Sequence, residues 1–105
     1  MNERRILPTR RPCVTFDYES QGLTFTASFS VFPDGSISEL FIRNHKATSM
    51  AGINAADAAV LFSIARQYGA PPEVLQKALM RDSSGKASGP VGTALDIIAT
   101  MDGAR

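Results

Sequence analysis

A chain of 105 residues has room for one hydrophobic core and no second one. With 44% hydrophobic and 20% charged residues it fits a folded globular domain and excludes wholesale disorder. A formal net charge of +1 excludes the broad basic surface of a dedicated nucleic-acid binder.

The charge is nevertheless uneven. Residues 1–12 form a basic arm in which Arg4, Arg5, Arg10 and Arg11 face only Glu3, whereas the rest of the chain holds seven basic and nine acidic side chains. Such an arm is either a solvated tail or a phosphate-binding strap. Cys13 is the single cysteine, so one chain forms neither an internal disulfide nor a cysteine-based zinc site. No apolar run approaches the roughly 20 residues that span a bilayer. With no secretory pattern at the start, the expected location is the cytoplasm.

The domain proper is expected over residues 13–101, with 102–105 a frayed tail. Cys13 to Tyr18 alternates as a strand, Val14, Phe16 and Tyr18 on one side. Cys13 there reads as a small apolar filler. Glu19-Ser20-Gln21-Gly22 is a turn signal. Leu23, Phe25, Ala27, Phe29 and Val31 then alternate with Thr24, Thr26, Ser28 and Ser30, the clearest strand in the chain. Phe32-Pro33-Asp34-Gly35-Ser36 reads as a tight turn, proline setting the first torsion and glycine taking the left-handed position. Ile37 to Arg43 is a third strand. Its Leu40-Phe41-Ile42 is apolar on both faces, the pattern of a central or covered strand.

Asn44 to Gly52 is expected to be a flexible polar connection. Asn54 is the expected cap of the next helix, with Asp57 favouring its positive end. Val60, Leu61, Ile64, Ala65 and Tyr68 recur at helical spacing, and the alanines at 55, 56, 58 and 59 keep that helix slim. Gly69 ends it. A second helix starts at Pro71-Pro72 with Val74, Leu75, Ala78 and Leu79 as its stripe, ending near Met80. Residues 81–89 read as a loop. Pro90 opens a third helix carrying Val91, Leu95, Ile98 and Met101. The order β-β-β-α-α-α predicts an α+β fold, a three-stranded antiparallel meander followed by three helices on one face.

Chemistry-bearing residues are few. His45 stands at a strand exit with Asp17 and Glu39 as carboxylates within plausible reach, a start for acid–base work by a small hydrolase or transferase. It lacks further nitrogen or sulfur ligands, so the chain is expected to hold no metal of its own. Gly85-Lys86 lacks the earlier glycine of a phosphate loop. Ser88-Gly89-Pro90-Val91-Gly92-Thr93 leaves backbone amides open at a helix start, where an anion can sit near Arg81 and Lys86. The hydroxyl face of the second strand and the alanine cluster are each a solvated or core surface, with a contact between two copies as the alternative.

Taken together, Phe32-Pro33-Asp34-Gly35, Glu39-Leu40-Phe41-Ile42, Asn44-His45-Lys46, Gln67-Tyr68-Gly69, Pro72-Glu73 and Ser88-Gly89-Pro90-Val91-Gly92 with Leu95-Asp96 resemble the TSCPD domain family. The resemblance spans about Pro12 to Ile98, and Ile6-Leu7-Pro8 resembles the opening of its stand-alone members. That domain also ends adenosylcobalamin-dependent ribonucleotide reductases. The Thr-Ser-Cys-Pro-Asp signature is replaced by Thr48-Ser49-Met50-Ala51-Gly52 and the tail cysteines are missing, so neither redox relay nor metal binding carries over. The resemblance implies an accessory or regulatory role in deoxyribonucleotide synthesis, with adenosylcobalamin belonging to the reductase and no cofactor in this chain.

The expected function is a non-catalytic module that binds a reductase, a nucleotide-like anion or a second copy of itself. Expected binding residues are Glu39, Asn44, His45, Lys46 and Ser49, with Ser88, Gly89 and Gly92 as a second surface. A homodimer is expected because a core this small gains from added burial. A nucleic-acid role through the arginine arm is the remaining alternative.

Overall fold

The computed structural model describes residues 3–7, 12–45 and 49–101. Three strands, β1 (Val14–Ser20), β2 (Leu23–Val31) and β3 (Ile37–Asn44), are followed by helices α1 (Met50–Gln67), α2 (Pro72–Ala78) and α3 (Pro90–Ala99). The sheet is an antiparallel meander in the order β1-β2-β3, and the fold is α+β as expected.

Short connections set the registers. Ser20 pairs with Leu23, leaving Gln21 and Gly22 as a two-residue turn, both with positive φ (53° and 76°). That geometry matches the twist of the flanking strands. In the second turn the Gly35 amide donates to the Phe32 carbonyl at 2.9 Å, and Gly35 has φ 89°. Asp34 Oδ1 accepts from the Ser36 amide at 2.8 Å and the Ser36 hydroxyl at 2.6 Å, which holds the carboxyl below the usual carboxylate range.

The apolar side of β2 meets Tyr18, Leu40 and Ile42 from its neighbours and is roofed by Ala55, Ala59 and Phe62 of α1 and by Val91, Ala94, Leu95 and Ile98 of α3. Tyr18 stacks on Phe25 with ring centroids 5.7 Å apart and donates its hydroxyl proton to the Pro90 carbonyl at 2.8 Å. Burial pushes that phenol well above its ordinary range.

Several expectations are corrected. β3 is an edge strand: Leu40 and Ile42 face the core while Phe41 is 50% exposed on the opposite face. Its open edge is sealed by α1. Ser63 Oγ accepts the Leu40 amide proton at 2.7 Å, and the Arg66 Nε donates to the Ile37 carbonyl at 2.7 Å. An unpaired strand edge needs such partners, and polar residues of α1 supply them. The helix also starts earlier than expected. Ser49, not Asn54, is the cap, its hydroxyl accepting the Gly52 amide at 3.0 Å. Residues 50–52 carry no periodic signal, so only the bracing of Ser49 reveals the start.

Residues 81–89 are more ordered than a plain loop. Arg81 and Ala87 form an isolated antiparallel bridge around Asp82, which accepts from the amides of Ser84 and Lys86. Cys13 is exposed just before β1, so it fills no core position. The frayed tail expected at 102–105 lies outside the described residues. Among the described residues no helix is long and apolar enough to cross a membrane.

Candidate functional site

β3 delivers the first group of expected residues to two separate places. Glu39 is buried near the arm, in a shallow pocket with Arg4, Arg5 and Gln67. Asn44 and His45 lie at the other end of the strand, about 17 and 20 Å away at the ordinary strand rise. Lys46 lies outside the described residues. Glu39 therefore does not join His45, contrary to the expected carboxylate pairing.

Asn44 is buried and acts as a brace. Its Nδ2 donates to the Thr24 carbonyl at 3.1 Å, and its Oδ1 accepts from the Ser49 hydroxyl at 3.3 Å. Ser49 in turn accepts from Gly52, so the pair welds the end of the sheet to the start of α1.

His45 is the one histidine and stands half exposed on the outer face of the sheet. Register places Asp17 beside Thr26, and both approach the imidazole. Thr26 Oγ1 is 2.6 Å from Asp17 Oδ1 and 3.1 Å from His45 Nε2, while Asp17 Oδ1 is 3.9 Å from that nitrogen. An ionised carboxylate only accepts, so the single hydroxyl proton of Thr26 goes to Asp17. Nε2 of His45 must then donate to Thr26. The imidazole is oriented as a donor and not as a base toward this hydroxyl.

The second group lies in the helical layer, away from the outer face of the sheet. Gly89 caps α3. The Ser88 carbonyl accepts from Gln21 Nε2 at 2.9 Å, tying the first hairpin to α3. A Cβ on Gly92 would come within 3.0 Å of the Ala87 Cβ, so this glycine permits close packing. Arg81, expected to assist an anion there, is held instead by Asp96. Its two terminal nitrogens sit 2.8 and 2.9 Å from the carboxylate oxygens. The Arg81 guanidinium, with a further bond from Gln76, holds the Asp96 carboxyl below the usual range.

What sequence reasoning missed is the orientation of α1. Val60, Leu61 and Tyr68, which recur at helical spacing, lie on the outward side. Ser63, Arg66 and Gln67 are each at most 6% exposed, whereas Leu61 is 68%, Met50 66%, Val60 44% and Ile53 42% exposed. Ala55, Ala59 and Phe62 face the core, Ser63, Arg66 and Gln67 are buried beside them toward the edge of β3, and Met50, Ile53, Val60 and Leu61 meet water. The partners of Arg66 account for its burial. Its guanidinium donates to the Ile37 carbonyl, to the Ala70 carbonyl at 2.7 Å and to the Ser36 hydroxyl at 2.9 Å. It also lies 5.3 Å from the Phe32 ring, over which Arg5 stacks at 3.6 Å. The signal was available: an 18-residue helix with only Asn54 and Asp57 as polar residues outside that inward group has no solvated face.

Beside this stripe, α1 and the later helices part to leave two apolar slots of ≈ 370 Å³ each. One lies against Ala51, Ala55, Met80 and Pro90; the other lies against Leu61, Leu75 and Ala78. Ala58, Leu79 and Val91 line both, so the slots adjoin. The second group of expected residues, Gly89 and Gly92, forms part of the first slot's wall.

Comparison with protein-family models, with curated proteins and with solved structures finds no match for this chain.

Proposed function

We propose that this chain is a non-catalytic accessory module that works by docking, through the outward apolar stripe of α1 and the two slots beside it. The observation that carries this reading is the second apolar stripe of α1, which faces outward while polar residues of the same helix are buried. Burying Ser63, Arg66 and Gln67 while exposing Leu61 and Met50 is costly in water unless the outer stripe is covered in use. The Asp17–Thr26–His45 cluster adds support from the other side, because its proton arrangement positions no base against a nucleophile. The resemblance to the TSCPD family points the same way and suggests the setting, an accessory or regulatory role beside a ribonucleotide reductase in deoxyribonucleotide synthesis.

A photo-crosslinking residue placed at Leu61 tests the docking surface in intact cells, with the same residue at Thr24 on the opposite sheet face as the comparison. Adducts are expected from position 61 and not from position 24. Absence of any adduct at 61 would remove the reading. Nucleotide capture is tested separately by melting the protein with nucleoside di- and triphosphates, where a bound anion raises the transition temperature.

A further inference from the structure

We infer that the occupant of this surface is a second copy of the chain, packed α1 against α1 about a two-fold axis near Leu61. The inference rests on the docking reading above and names its partner. Area is the first argument. Met50, Ile53, Val60, Leu61 and Tyr68 along α1, with Met80 on the wall of the first slot, are all 37–79% exposed. At on the order of 100 Å² each they offer about 600 Å² of apolar surface, three quarters of the roughly 800 Å² per partner of a standard interface. It also stands at the top of what a monomer ordinarily leaves bare.

Self-complementarity is the second. A two-fold contact needs projections and hollows on the same face. This face has both: Leu61 and Met80, 68% and 79% exposed, stand beside the two slots of ≈ 370 Å³. Leu61 is the most exposed apolar side chain of α1, which makes it the natural point of crossing.

Charge fixes the position of the axis. Asp57 is the sole ionisable group on the exposed stripe of α1, so an axis through it would set two carboxylates together. An antiparallel crossing at Leu61 pairs residue 61−n with 61+n. Asp57 then lies beside the slim Ala65 of the other copy, and Asn54 beside Tyr68. The two Asp57 residues are about 12 Å apart along the axis at the helical rise.

Sedimentation equilibrium on the full chain, from low to high micromolar, tests the inference together with two disulfide-trapping variants. A dimer is expected, and Leu61→Asp is expected to weaken it roughly tenfold or more while leaving the far-UV spectrum unchanged. In a Cys13→Ser background, Leu61→Cys is expected to oxidise to a covalent dimer. Asp57→Cys in the same background is not, because its Cα atoms lie beyond the roughly 7 Å that a disulfide bridges. A wild-type monomer at high micromolar concentration, a dimer indifferent to Leu61→Asp, or crosslinking at 57 but not at 61 would each overturn the two-fold. A position-61 photo-adduct heavier than two copies would also overturn it while leaving the docking reading intact.

Discussion

Ser63 of α1 and Leu40 of β3 are joined through both polar groups of the Leu40 backbone. The Ser63 hydroxyl oxygen lies 2.7 Å from the Leu40 amide and 2.9 Å from its carbonyl, with the Ala59 carbonyl also at 2.9 Å. One small side chain thereby satisfies the free edge of the sheet at Leu40. Ser63→Ala is expected to leave the Leu40 amide and carbonyl buried without partners, at a cost of about 2–3 kcal/mol. Urea unfolding checks this as a lower midpoint with an unchanged slope. A loss under about 0.5 kcal/mol would mean that the edge is closed by something else.

Arg66 extends the same seal to the β2–β3 turn. Its bonds to Ile37, Ala70 and Ser36 use the planar fork of a guanidinium, which an ammonium cannot copy. Arg66→Met is expected to cost about 3 kcal/mol, because the buried Ile37 carbonyl and the partly buried Ala70 carbonyl lose a charged donor. Arg66→Lys should restore less than half of that. Full rescue by lysine in the same unfolding assay would show that charge alone matters.

The two glycines at the start of α3 differ in how tightly they are packed. Gly92→Ala forces a methyl group to 3.0 Å from the Ala87 Cβ, so a loss of about 1–2 kcal/mol is expected. Gly89→Ala meets nothing within 4 Å at an ordinary φ of −118°, and stability should change little. Thermal melts of the two variants distinguish them directly.

The Arg81–Asp96 pair gives a signed pH dependence. The folded-state pKa of Asp96 is depressed, first by its hydrogen bonds from Arg81. Its contribution is therefore fully present above the unfolded carboxylate value and is lost as pH falls through the folded one. Asp34 and Asp82, held low by hydrogen bonds from Ser36 and Ser84, act in the same direction. Asp96→Asn should lower the melting temperature at neutral pH and flatten its decline between about pH 4 and lower values. An unaltered acid profile would show that the pair is too solvated to matter.

The Asp17–Thr26–His45 cluster makes a spectroscopic prediction. Neutral His45 should be the Nε2–H tautomer, visible in long-range nitrogen–proton NMR spectra, and Thr26→Val should redistribute it. Because the side chain is half exposed, His45→Ala should change stability by no more than about 0.5 kcal/mol. A dominant Nδ1–H form would restore a basic Nε2 facing Thr26 and reopen the catalytic alternative.

Period-two alternation in β2, the proline and glycine of the 32–36 turn, and Val91, Leu95 and Ile98 of α3 were enough to set the β-β-β-α-α-α order. These signals are local, and the residues carrying them pack as their spacing implies. The start of α1 was not legible, because Ser49 becomes a cap only when Asn44 holds it from the end of β3. Nor was the site. Asn44 and Ser49 look like binding groups in a polar run, but the fold uses both as a brace.

By itself, the order of residues determined which segments become strands or helices, since backbone preference and polar–apolar period act over a few neighbours. Which side of α1 faces inward was decided only in three dimensions. The bare edge of β3 required hydrogen-bonding partners, Ser63 and Arg66 met that requirement beside the core-facing Ala55, Ala59 and Phe62, and Met50, Ile53, Val60 and Leu61 were left facing water.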